Sequence, residues 1–105
     1  MVKWYSTETI AQSTITESIG SVLGSTIRAR HIGKDIVAGL RMLVGGELPE
    51  YTEMMAQARE QAIQRMQSQA EEMGADAIVG VRFSTAMIMQ GTAEIMVVGT
   101  AVKLK

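Results

Sequence analysis

Between Ala93 and Leu104 the chain carries two interleaved sets of residues that are both mostly apolar. One is Ile95, Val97, Gly99 and Ala101; the other is Glu94, Met96, Val98, Thr100 and Val102. Side chains alternate across a strand with a period of two, so a strand built from this segment has no water-facing side. Both faces must be covered. The preceding segment, Ala77 to about Met89, reads as its partner, and the short Gln90-Gly91-Thr92 turn between them fits a hairpin.

What can cover these faces is set by the rest of the chain. Thr14 to Ile27 alternates β-branched and polar residues (Ile15, Glu17, Ile19, Val22, Ile27) around Gly20 and Gly24, which predicts a strand bent or bulged at the glycines. From Ile32 to Val44 the spacing becomes helical, with Ile32, Ile36, Leu40, Leu43 and Val44 on one stripe before Gly45-Gly46. A second helix is predicted from Pro49, which suits a first helical turn, with Glu47, Glu50 and Glu53 at the positive end of the helix dipole. Its stripe runs Tyr51, Met54, Met55, Ala58, Ala62, Met66, Ala70 and Met73, and Gly74 ends it after ~35 Å. One long helix shields one face of a three-stranded sheet. The chain has little left for the other except its short first helix, so a second copy of the chain is the expected cover.

The 105 residues suit a single domain over 1–105. Aromatics are only 4% of the chain, so the core is expected from aliphatic residues and nine Met, which makes it deformable. Ten Lys and Arg stand against 11 Asp and Glu, giving a formal charge of -1 that attracts neither nucleic acid nor an anionic membrane. The absence of Cys removes disulfides, thiolate metal sites and cysteine nucleophiles, and the single histidine, His31, builds no imidazole cage within one chain. No signal-peptide run opens the sequence and no apolar stretch nears the ~20 residues of a membrane span. A cytoplasmic protein is expected. No nucleophile elbow, P-loop, dinucleotide fingerprint or zincin motif occurs, so the expectation is a non-enzyme.

Five segments in order carry a resemblance: Ile32-Gly33-Lys34-Asp35-Ile36-Val37-Ala38-Gly39-Leu40-Arg41, Val44-Gly45-Gly46, Tyr51 with Ala58-Arg59, Gly74-Ala75-Asp76-Ala77-Ile78-Val79-Gly80-Val81, and Gly99-Thr100-Ala101-Val102. Over nearly its whole length the chain resembles the YbjQ-like family. The resemblance implies an α+β subunit of the dodecin-like type, with a small antiparallel sheet against one long helix plus a shorter one. It also implies assembly into a ring-like homopentamer, and the family's label of heavy-metal binding. A purely structural or protein-interaction ring is the alternative function.

The candidate site residues each have a plainer reading. His31, in the basic run Arg28, Arg30, His31, Lys34, is a metal ligand or part of an anion site, or else belongs to a solvated charged connection. On a regular strand Met87 and Met89 present two thioethers to one side, which suits a soft heavy-metal ion such as Cu(I), but Met is also a common core filler. Asp35, Arg41, Tyr51 and Arg59 match the family's motifs and are candidates for an inter-subunit groove holding a small ligand, or for helix-end and subunit salt bridges. Trp4 and Tyr5 are expected to dock the amino terminus onto a neighbouring copy, or to stack on a planar ligand.

Overall fold

The computed structural model of the protein describes residues 1–29, 49–89 and 92–105. The expected helix from Ile32 to Val44 lies outside the described residues. The helix expected from Pro49 is present as α1, Pro49–Glu72. Ala58, Ala62, Met66 and Ala70, each four residues from the last, form its fully buried stripe. The end is a Schellman motif: Ala75 N–H donates to Ala70 O at 3.1 Å and Gly74 N–H to Glu71 O at 3.0 Å, with Gly74 at φ 77°. That left-handed conformation is why glycine stands there.

Among the described residues four strands make one sheet: β1 (Lys3–Trp4), β2 (Ile15–Ala29), β3 (Ala77–Met89) and β4 (Thr92–Leu104), in the order β1-β3-β4-β2. The two antiparallel ladders place Val98 between Leu23 and Arg82, and Val97 between Gly24 and Phe83. β1 joins β3 in parallel, so the sheet is mixed and not wholly antiparallel as expected. Two register shifts occur in β2, between Ile15 and Glu17 and between Ser18 and Gly20. The second adjoins the first of the two glycines, whereas the register runs unbroken through Gly24.

The helix lies on the face that carries Val22, Val81, Ile95, Val97 and Ala101. Its approach to β2 is close. A Cβ on Gly24 would collide with the Ala62 carbonyl oxygen and lie 2.7 Å from Met66 N, so glycine opposite alanine sets the helix-to-sheet distance. In β3 the pairing moves from Val79↔Thr100 to Arg82↔Val98, three residues against two, at a bulge containing Gly80 with φ 64°. The extra residue puts Ile78 and Val81 on the helix side although they are three apart, and both are buried.

The opposite face is divided. At one end Ala77, Val79 and Val102 are buried beneath Tyr5 and Ile10, with Ile15 and Leu104 beside them. The chain therefore covers this end with its own first residues. Trp4 packs on the helix-side core and meets Phe83 edge to face at 5.8 Å. The amino terminus is tied to its own chain, through Tyr5 N–H to Ile78 O at 2.8 Å and Gln67 Nε2 to Val2 O at 2.7 Å. Two residues of parallel pairing are too short for a period-two pattern to reveal. At the other end the face is open among the described residues, with Leu23 46% and Val98 42% exposed.

β2 is an edge strand, and unpaired edge groups template further strand addition. Here α1 reaches over them: Leu23 N–H donates to Gln69 Oε1 at 2.7 Å, and Arg65 Nη1 donates to Ser25 O at 2.6 Å. Gln69→Ala is expected to cost about 1 kcal/mol and to speed amide exchange at Leu23 while distant β4 amides stay protected. Hydrogen exchange by NMR checks this; an unchanged Leu23 rate would show that the glutamine does not guard the edge.

Candidate functional site

Where α1 overhangs β2 there is a groove of about 570 Å³, lined by Leu23 and by Gln61, Gln64, Arg65, Ser68, Gln69 and Glu72 from the helix. Three neutral amides, Gln61, Gln64 and Gln69, stand there beside the charged Arg65 and Glu72. Gln69 and Arg65 are held against the strand, and Gln61 Oε1 accepts from Arg28 Nη2 at 2.9 Å. Gln64 Nε2 donates to Glu60 Oε1 at 3.4 Å, one turn away. The groove opens beside Leu23, whose side chain belongs to the open half of the sheet, so a polar shelf and an apolar face meet along one strand. Such a junction suits a second macromolecular surface with polar and apolar parts better than it suits an enclosed small molecule.

The sequence candidates are not gathered there. His31, Asp35 and Arg41 lie outside the described residues. Tyr51 is in the first turn of α1, and Arg59 is exposed on the same helix. Met87 pairs with Ala93 and Met89 with Thr92, with a register shift between them. The groove glutamines were missed because each reads as an ordinary helix-surface residue. Their one signal is recurrence along the helix, at successive spacings of four, three and five residues in Gln57, Gln61, Gln64 and Gln69.

A helix across one face of a mixed four-stranded sheet, the other face closed at one end by the chain's own amino terminus and, among the described residues, open at the other, defines a small α+β domain. The chain belongs to the YbjQ-like family: the family profile described as "Putative heavy-metal-binding" matches residues 2–105. A UPF0145 protein of Methanosarcina acetivorans is 59% identical over 98 residues, 93% of this chain and 92% of that one. A UPF0145 protein of Psychromonas ingrahamii is 58% identical over 99 residues, 94% of each chain. A crystal structure of a protein of unknown function from Pediococcus pentosaceus, assigned to the DUF74 family, superposes with a TM-score of 0.71 at 17% identity. It covers 99% of this chain and 98% of that one, and so supports the fold. None of these names a catalytic activity.

The donor chemistry can be set against the family's description. Soft heavy metals favour thiolates and thioethers, and borderline ions such as zinc favour thiolates and imidazoles. The chain has no Cys and one His, and among the described residues no three His, Cys, Asp or Glu come together. The described part of the chain does not fit a heavy-metal site.

Proposed function

We propose that this protein is the subunit of a non-enzymatic homo-oligomeric ring, of five copies, that binds a small ligand or soft metal ion where subunits meet, and that it works in the cytoplasm. The observation that carries the reading is the shape of the chain. Its radius of gyration is 17.2 Å and its extents are 54 × 23 × 19 Å, against about 13 Å for the radius of a compact domain of this length. A chain this elongated, with Leu23 and Val98 side by side and open on one sheet face, gains stability by burying that face on another copy. The number five is what membership of the family suggests. Among the described residues no helix is long and apolar enough to cross a membrane, which agrees with the cytoplasmic part of the reading.

A metal site in this assembly needs donors from several copies, with Met87, Met89 and His31 the side chains of suitable softness. Native mass spectrometry and light scattering on protein purified without chelator test both parts. The expected result is one species of five subunits with a reproducible excess mass, and Cu(I) uptake that falls when Met87 and Met89 are changed to Leu. A monodisperse monomer at micromolar concentration would overturn the ring. Zinc uptake indifferent to the double change would overturn the methionine site, and bare rings binding neither ion would favour the structural alternative.

A further inference from the structure

Among the described residues, two buried side-chain polar atoms are left without partners beneath α1, and they belong to residues two apart on one side of one strand. Thr26 pairs with Ile95 and Arg28 with Ala93, positions that share the helix-facing side of β4 with Val97. Thr26 is 3% exposed, and its Oγ1 has no hydrogen-bond partner. The Nε of Arg28 is likewise buried and unpartnered, while its Nη2 is held by Gln61 Oε1 at 2.9 Å. Among the described residues no carboxylate answers the guanidinium: the ion pair present joins the amino terminus to Glu71, in the last turn of the helix.

Each orphan is unusual alone, because buried polar atoms nearly always find a partner. Together they are complementary. Guanidinium nitrogens only donate, a threonine hydroxyl can donate, and Gln61 fixes the guanidinium in place. Side chains two apart on one side of a strand have Cβ atoms about 7 Å apart, a span that an arginine and a single oxyanion can bridge. A neutral acceptor would satisfy the donors but leave the half-buried positive charge uncompensated, which is the larger cost.

We propose that Arg28 and Thr26, with Gln61 as positioning residue, form an oxyanion site that accepts one carboxylate or phosphate-type group at Arg28 Nε–H and the Thr26 hydroxyl. The group comes either from a small anionic molecule or from a carboxylate on a neighbouring copy. The site does not depend on the ring reading, since the first source needs only one subunit.

Thermal melts by circular dichroism, with inorganic phosphate titrated at constant ionic strength against chloride, separate these cases when combined with light scattering. If the anion is a free molecule, the wild-type midpoint rises saturably, by about 10 °C at a hundredfold excess over half-saturation. That rise is lost in Arg28→Gln and in Thr26→Val. Arg28→Lys keeps the charge but lacks the Nε–H donor, and should respond at least tenfold more weakly even if Arg28→Gln does not fold. If the carboxylate belongs to a neighbour, phosphate leaves the midpoint unmoved and Arg28→Lys lowers the particle mass. The proposal is overturned if wild type and Arg28→Lys respond equally to phosphate, or if neither responds and the mass is unchanged. A wild-type monomer would sink the ring and leave the phosphate comparison intact.

Discussion

Val97→Asp is expected to abolish cooperative folding, whereas Val98→Asp should leave a folded subunit that no longer assembles. The two side chains are adjacent in β4 and point to opposite faces. Val97 is 0% exposed and belongs to the cluster under α1 with Ala58, Ala62 and Met66. An aspartate there has no partner and no route to water. Burying it costs several kcal/mol, a large share of the ~5–15 kcal/mol that holds a typical domain. Val98 is nearly half exposed, between Leu23 and Arg82. An aspartate at that position reaches water in the free subunit and lies across from a cation, so the subunit itself should lose no more than about 1 kcal/mol. In the proposed ring the same carboxylate would be trapped at a contact, and dissociation is its escape. Circular dichroism should therefore show a lost transition for Val97→Asp, and light scattering a smaller particle for Val98→Asp. If Val98→Asp keeps the wild-type mass and midpoint, the open half-face takes no part in assembly. A wild-type melt for Val97→Asp would contradict the assigned helix side.

Gly24→Ala should be the most damaging single-methyl addition in the described structure, at more than about 3 kcal/mol. Overpacking a core ordinarily costs 1–3 kcal/mol because side chains yield. Here the obstacle is the backbone of α1 at Ala62 and Met66, which retreats only by lifting the helix from β2. That would disturb Gln69 on Leu23 and Arg65 on Ser25 together. Gly80→Ala is the matched comparison. Nothing lies within 4 Å of a Cβ at Gly80, so its cost is confined to the positive φ, about 1–3 kcal/mol. Urea denaturation of both variants should rank Gly24→Ala as the less stable, and its lost stability should come with faster exchange at Leu23. Equal midpoints would mean that the helix does not sit as close to the strand as the structure places it.

Features that depend on residues a few positions apart were legible in the sequence. The four-residue stripe from Ala58 to Ala70, Pro49 and Gly74 define α1 almost to the residue, because helical spacing and caps are local. The two apolar sets of β4 likewise separate the helix side from the other side, since alternation along one strand needs no knowledge of its neighbours. Which set faces α1 required the tertiary structure.

Other features exist only through contacts between distant segments. The bulge at Gly80 reverses the alternation of β3, so Ile78 and Val81 share a face that period-two counting would deny them. Reading the whole second face as something a second copy must cover overlooked the first ten residues, whose Tyr5 and Ile10 close one end of it. Gly24 read as a bend is a point of helix approach, because what demands glycine there is Ala62, 38 positions later. The pairing of Thr26 with Arg28 as unanswered polar groups belongs to the same class. Their spacing was visible in the chain, but only the helix laid over them removes the water that would otherwise satisfy both.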